Sequence, residues 1–232
     1  YLLAGLLCTL LVVMSARLPY PPYQAVAEQV SLRRSMLLLK DRYALGFSLA
    51  IALYVSCEVA IFVWLPTLLA DYDGRWSLLA AQAITVFFIL RALGRFLATA
   101  ILNRFCWSSV MAVFTLCIFV CFAASMLGGK DVAVWLMPLS GLFMSMIYPT
   151  LNSKGISCFT RQQHGAVAGL ILAFTALAAA VAPALMAVLG DWANDVTAGF
   201  YLATLFSAML AAVMLYNWLK QPAKARLEQM AD

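Results

Sequence analysis

One carboxylate in the middle of a long apolar run constrains this chain more than any other feature. Residues Tyr43–Ala70 form a 28-residue stretch whose only charged side chain is that of Glu58. A transmembrane helix needs about 20 mostly apolar residues, so this stretch is long enough to span a bilayer. A charge near its middle costs roughly 2.5–3.5 kcal/mol. We therefore interpret Glu58 as a group retained for a polar ligand, an ion or a proton.

The composition predicts an all-α integral membrane protein. Of the 232 residues, 65% are hydrophobic and 11% are charged, against about 45–50% and 25% in soluble domains. Helices are expected because the sequence lacks the ten-residue alternation of a membrane β-strand. The net charge is +5, but the basic residues are scattered at segment ends and form no patch. The expected partner is the lipid bilayer, not nucleic acid.

The chain divides into an opening segment, a linker, six complete helices and a tail. Residues 1–16 are predicted to be the end of a preceding transmembrane helix, and residues 17–42 a cytoplasmic linker between domains. The six-helix domain covers residues 43–219, and residues 220–232 form a cytoplasmic tail. A start inside an apolar run favours the C-terminal fragment of a longer protein. The predicted helices are Tyr43–Ala70, Ser77–Leu102, Trp107–Leu127, Val132–Asn152, Gly165–Leu189 and Thr197–Leu219.

The charges between the helices set the expected orientation. If the linker is cytoplasmic and the helices alternate, nearly all Lys and Arg residues fall on the cytoplasmic side, as the positive-inside rule requires. The C-terminus is then cytoplasmic as well. The cytoplasmic set is Arg17, Arg33, Arg34, Lys40, Arg42, Arg104, Lys154, Arg161, Lys220, Lys224 and Arg226, whereas the outer loops carry Arg75 and Lys130 beside Asp71, Asp73, Asp131, Asp191 and Asp195.

Six helices after a basic linker are typical of the second half of a twelve-helix transporter. Such halves contain two inverted repeats of three helices around a site at the membrane midplane. Under this division, the first helix of each repeat carries polar groups, namely Glu58 in one repeat and Tyr148–Asn152 in the other.

The first complete helix carries the leading candidate site. Tyr54, Glu58 and Phe62 share one helical face, with an aromatic ring one turn on either side of the carboxylate. This pattern suits a sugar, because aromatic faces stack on C–H groups while the acid binds hydroxyls. The alternative is a Glu58 that pairs with an arginine of a neighbouring helix for structural reasons alone.

Two further helices carry polar candidates. In the fourth, Gly141, Ser145, Tyr148 and Asn152 form one stripe, and Pro149 is expected to kink the helix beside them. This stripe either contacts substrate or only bonds to neighbouring helices. In the second, Arg91 and Arg95 share a face one turn apart. Arg91 is expected to pair with Glu58 or to bind an anionic group, and Arg95 to close the cytoplasmic gate.

Several function classes lack their motifs in this sequence. It contains no Walker A sequence, no HExxH and no GxSxG, and its six cysteines include no CxxC pair. We therefore expect no enzyme activity, no catalytic residues, no metal site and no cofactor, with a coupling proton as the expected co-substrate.

Three motifs resemble the C-terminal half of the L-fucose:proton symporter family of the major facilitator superfamily. In that family an acid or Gln stands in the first motif, GRF in the second, and FMS with PT in the third. The likeness extends from about Ala44 to the end of the chain. The motifs are YVSCEVAIFVWL at Tyr54–Leu65, LGRFLATAILNRF at Leu93–Phe105 and GLFMSMIYPTLNSKGI at Gly141–Ile156.

The resemblance implies proton-coupled uptake of a monosaccharide of the fucose, glucose, galactose or amino-sugar type, in a bacterial inner membrane. The protein would work by alternating access against an N-terminal half that lies outside this chain and holds the family's protonation acids. Glu58 is then a sugar ligand first and a proton carrier second. Two departures, Arg91 before the GRF and Asn152–Lys154 after the PT, leave an acidic or amino sugar, or a rearranged gate, open.

We predict a secondary transporter, with two alternatives from other classes. One is a membrane receptor or assembly subunit that binds without transporting, and the other is an integral-membrane enzyme. The predicted substrate-binding residues are Glu58, Tyr54, Phe62, Tyr148, Asn152 and Arg91, and the predicted cytoplasmic gate is Arg95, Arg104 and Arg161.

Overall fold

A computed structural model of the chain describes residues 2–18 and 37–231, and within these ranges all regular structure is helical. Six helices are long and apolar enough to cross a membrane, which confirms the six predicted spans. The helices are α1 Leu2–Arg17, α2 Arg42–Leu68, α3 Ser77–Ala81, α4 Ala83–Arg104, α5 Trp107–Gly128, α6 Lys130–Ser157, α7 His164–Ala193, α8 Val196–Lys220 and α9 Pro222–Ala231. The six spans are α2 and α4–α8.

Two of the spanning helices differ most in their boundaries from the predicted spans described above. The predicted span Ser77–Leu102 begins as the separate short helix α3, with a turn at Gln82 before α4. Helix α6 continues to Ser157, five residues beyond the predicted end. Helix α1 is exposed along its whole length and buries nothing against the bundle. Most of the predicted linker, residues 19–36, lies outside the described residues.

The packing pattern has the symmetry of two inverted three-helix repeats. Exchanging α2 with α6, α4 with α7 and α5 with α8 converts each major contact into another. Thus α2 packs on α7 as α6 packs on α4, and α5 packs on α6 as α8 packs on α2, while α5 and α8 pack on each other. The symmetry fails at one point, because α7 lies along α8 whereas α4 touches α5 only briefly.

The first helix of each repeat is interrupted four residues before a proline. A proline lacks the N–H that would bond to the carbonyl four residues earlier, and its ring clashes with that carbonyl. In α2 the wide π-helical turn Ala60–Trp64 surrounds the carbonyl that Pro66 leaves unbonded. In α6 the helix breaks into Lys130–Met144 and Ile147–Ser157, as expected from Pro149. Helix α7 continues without a break through Pro183.

Two glycines let α4 and α6 approach each other closely. A Cβ atom on Gly94 would lie 2.6 Å from the Leu142 carbonyl oxygen and 2.4 Å from the Ser145 Oγ. In return, a Cβ on Gly141 would lie 2.5 Å from the Phe87 carbonyl oxygen. Each glycine thus receives the backbone or a side chain of the opposite helix, which is how small residues bring membrane helices into contact.

We expect Gly94→Ala to destabilise the fold. The added methyl group must push against the Leu142 carbonyl, and overpacking of this kind costs roughly 1–3 kcal/mol, more than the roughly 1 kcal/mol that alanine gains in helix propensity. The measurement is the thermal unfolding midpoint in detergent. Gly46→Ala is the matched control, because nothing lies within 4 Å of its added Cβ. Equal midpoints for the two variants would contradict the close contact.

Candidate functional site

An ion pair between Glu58 on α2 and Arg91 on α4 forms the centre of the candidate site. Arg91 Nη1 donates to Glu58 Oε1, and the two side chains are only 12% (Glu58) and 14% (Arg91) exposed. Glu58 lies ten residues before the end of α2, and Arg91 eight residues after the start of α4. At 1.5 Å per residue these positions are about 15 Å and 12 Å from the helix ends. The pair therefore lies near the middle of a bilayer core about 30 Å thick.

Arg91 reaches Glu58 across a gap between the helices. Helix α4 lies along α6. It approaches α2 mainly at the last turn of α2, Leu65–Leu68. Pairing with an arginine of a neighbouring helix was the alternative expected for Glu58. The pair leaves N–H donors of the Arg91 guanidinium without an acceptor. Its Nε is buried without a hydrogen-bond partner among the described residues. A buried donor left unpaired costs about 1–3 kcal/mol, so this arrangement is complete only with a further partner.

Tyr54 lies behind the site instead of on its surface. Its side chain is fully buried, and its hydroxyl donates to the carbonyl of Met144, 3.0 Å away, at the last residue before the break in α6. Its ring lies 6.4 Å from that of Tyr148. The sequence places Tyr54 in the lining of the substrate cavity, and in this structure the broken helix occupies the space beside its ring.

The polar stripe predicted on the fourth helix is divided by the break. Ser145 is buried and donates to the Leu142 carbonyl at 2.7 Å, and Gly141 is pressed against Phe87. Both therefore serve the packing of α6 on α4. Tyr148 and Asn152, which follow the break, remain partly exposed.

The other candidates are more exposed. Phe62 lies in the π-helical turn one turn after Glu58 and is 39% exposed, so its ring is available to a ligand. Arg95, Arg104 and Arg161, the predicted gate, are all exposed, and within residues 37–231 none of the three forms an ion pair.

A contact cluster at the basic end of the bundle was not predicted. Arg226 of α9 donates from Nε to the Cys158 carbonyl at 3.1 Å and approaches Asp41 at 4.0 Å. The Tyr43 hydroxyl donates to the Pro222 carbonyl at 3.2 Å. These bonds attach α9 to the starts and ends of the spanning helices. The available signal was the spacing of Ala223, Leu227 and Met230 at intervals of four and three residues, which is typical of a helix lying on a surface.

The opposite end of the bundle is joined by a separate set of contacts. The Tyr72 hydroxyl donates to Asp131 Oδ1 at 2.6 Å, and this bond raises the pKa of the Tyr72 phenol. The rings of Trp76 and Trp135 meet edge to face with centroids 4.9 Å apart. The loop after α2 and the start of α6 are therefore in contact. The alternating topology places both on the same side of the membrane.

Comparison with known proteins identifies a family and a fold. The sequence profile of the Major Facilitator Superfamily matches residues 1–183. No protein with curated annotation matches the chain significantly.

Two solved structures share the fold. A variant of the E. coli fucose:proton symporter FucP is 22% identical, with a TM-score of 0.74 over 90% of this chain and 52% of that chain. FucP in the outward conformation is 23% identical, with a TM-score of 0.73 over 91% of this chain and 51% of that chain. The chain thus spans about half the length of the solved structures that it matches.

Replacing one member of the ion pair is expected to destabilise the fold more than replacing both members. Glu58→Gln leaves Arg91 charged and unpaired in a largely buried position, which costs roughly 3–5 kcal/mol in buried pairs. The double variant Glu58→Gln/Arg91→Gln should recover much of that loss. Thermal unfolding midpoints of the wild type, both single variants and the double variant form the cycle. Strictly additive losses would show that the two side chains do not interact.

Proposed function

This chain belongs to the major facilitator superfamily, and we propose that it is the C-terminal half of a proton-coupled monosaccharide transporter working by alternating access. The observation that carries the proposal is the Glu58–Arg91 pair. It lies at mid-depth, beside the interrupted first helix of a repeat, where secondary transporters bind their substrates. The fold shared with a fucose:proton symporter supports a sugar as the substrate class.

The arrangement of charges supports the orientation and location. One end of the bundle holds Lys40, Arg42, Lys154 and the basic residues of α9, whereas the other holds the Tyr72–Asp131 contact. The positive-inside rule then puts the C-terminus in the cytoplasm. We place the protein in a bacterial inner membrane, with residues 43–219 as the transporting half-domain, 17–42 as the linker, and an N-terminal half of the same protein as its partner.

In the proposed site, the Glu58 carboxylate and the Arg91 guanidinium bind sugar hydroxyls, and the Phe62 ring packs on the C–H face of the sugar. Tyr148 and Asn152 supply hydrogen bonds from α6. Tyr54 acts as a positioning residue, since its hydroxyl holds the broken end of α6 and its ring supports Tyr148. No metal or organic cofactor takes part in this scheme.

Alternating access would use the interruptions in α2 and α6. A π-helical turn and a helix break are places where the backbone can bend without losing a full ladder of hydrogen bonds. Both lie next to site residues, at Glu58 and at Tyr148. Closure of the cytoplasmic side would involve Arg95, Arg104 and Arg161, whose exposed side chains are available to the N-terminal half.

We expect Glu58→Ala to abolish proton-driven uptake while the protein still inserts and elutes as a single species. The variant removes the central acid of the site, whereas the control Glu228→Ala removes an exposed glutamate of α9 and should transport normally. The measurement is accumulation of labelled monosaccharides by proteoliposomes that hold the whole transporter, with and without an inward proton gradient.

Each contrary result has a definite meaning. Uptake by Glu58→Ala near the wild-type rate would refute the site. Binding of a sugar by the wild type with neither uptake nor counterflow would indicate a receptor or an assembly subunit. Conversion of a sugar in detergent, without any gradient, would indicate an enzyme.

A further inference from the structure

We infer that the substrate is a monosaccharide bearing a carboxylate, which Arg91 binds while Glu58 takes up the coupling proton. This inference rests on the proposed function and narrows it to sugar acids, such as uronates. It also assigns a role to both members of the ion pair: Arg91 exchanges Glu58 for the sugar carboxylate, and Glu58 exchanges Arg91 for a proton.

The charge of the membrane interior is the first observation. Outside the first and last four residues of the six spans, the only charged side chains are Glu58, Arg91 and Arg95. Two arginines against one glutamate leave a net charge of +1 in a medium of low dielectric constant. Arg95 lies one turn from Arg91 and is exposed. This surplus positive charge attracts an anionic ligand, whereas it does not attract a neutral sugar and repels an amino sugar.

The unused donors of Arg91 are the second observation. A guanidinium presents five N–H groups in a planar fork that fits a carboxylate through two parallel hydrogen bonds. Here Glu58 occupies Nη1, and Nε has no partner among the described residues. A sugar carboxylate would satisfy this group, because it offers two oxygens in the required geometry. A sugar hydroxyl would offer only one oxygen and no charge.

The exchange of partners leaves the total charge of the site unchanged. In the resting state Glu58 compensates Arg91. When the sugar carboxylate takes over the guanidinium, the Glu58 carboxylate is left unpaired in a largely buried position, so it binds a proton from the side to which the site is open. Release of the sugar acid returns Arg91 to Glu58, which gives up the proton. One proton therefore moves with one anion.

Few other ionisable groups can disturb this exchange. The ionisable groups that interact with Tyr54, one turn before Glu58, are Cys57 on α2 and Arg91 and Arg95 on α4, and the Tyr148 ring of α6 lies 6.4 Å from the Tyr54 ring. The Cys57 thiol donates to the Ala203 carbonyl of α8 at 3.7 Å. Helices α7 and α8 carry no Asp, Glu, Lys, Arg or His between their terminal four residues. Within the six spans of this chain, Glu58 is therefore the acid placed to take the proton.

The first test compares matched pairs of sugars. Proteoliposomes holding the whole transporter are given labelled glucuronate or galacturonate, and in parallel glucose or galactose, which differ only by CH₂OH in place of the carboxylate. We expect gradient-driven accumulation of a uronate at least tenfold above that of its neutral partner. Accumulation of a neutral or amino sugar in preference would overturn the inference and leave the proposed function standing. If no sugar of either kind moves, both fail.

The second test separates the two side chains. Arg91→Gln should reduce uronate transport at least tenfold, and Arg91→Lys should recover part of it, because a lysine keeps the charge but loses the fork. Arg75→Gln is the control, since it makes the same change on an exposed residue of the outer loop. A preference for uronate that survives in Arg91→Gln would overturn the inference.

Glu58→Gln tests the proton. It resembles the protonated acid, so exchange of labelled uronate across the membrane should persist in this variant, while accumulation driven by the proton gradient is lost. Uronate binding by the wild type should weaken as pH rises, and binding by Glu58→Gln should be independent of pH above about pH 5, where the uronate itself remains ionised. The same pH dependence in both proteins would assign the proton to another group.

Discussion

The low dielectric constant of the membrane makes the Glu58–Arg91 pair the constraint on which the rest of the site depends. Either charge alone at mid-depth is costly, so α2 and α4 present them at the same level and facing each other. This requirement fixes the rotation of both helices about their axes. It also explains why a single acid and a deep arginine persist together in a chain that is 65% hydrophobic.

The prolines supply the second element of the site, because they decide where the backbone is irregular. Pro66 and Pro149 each disturb the helix four residues upstream, and these points lie beside Glu58 and Tyr148. Helices α2 and α6 are equivalent in the inverted repeats. Each repeat therefore carries a proline-induced irregularity in its first helix, and the two helices run in opposite directions across the membrane. Each irregular segment therefore leaves polar backbone groups beside a residue of the proposed site, where a regular ladder of hydrogen bonds would leave none.

The sequence predicted the spans well and the site only in part, for physical reasons. Apolar length and proline chemistry act locally, so the six helices and the break near Pro149 followed from the residues alone. The partner of Glu58 remained one of two alternatives, since it depends on the rotation of α4. The burial of Tyr54 did not follow from the sequence, because helical spacing shows which residues share a face but not that the broken end of α6 covers part of it.

The weak attachment of α4 connects the chemistry of the site to movement. This helix packs on α6 through Gly94 and Gly141, touches α5 only briefly, and reaches mid-α2 through the side chain of Arg91. Under the proposed exchange, a substrate carboxylate that separates Arg91 from Glu58 also releases α4 from α2. Because Arg95 and Arg104 lie on the same helix, the release would be transmitted directly to the cytoplasmic gate. Substrate binding and gating would then be consequences of one broken ion pair.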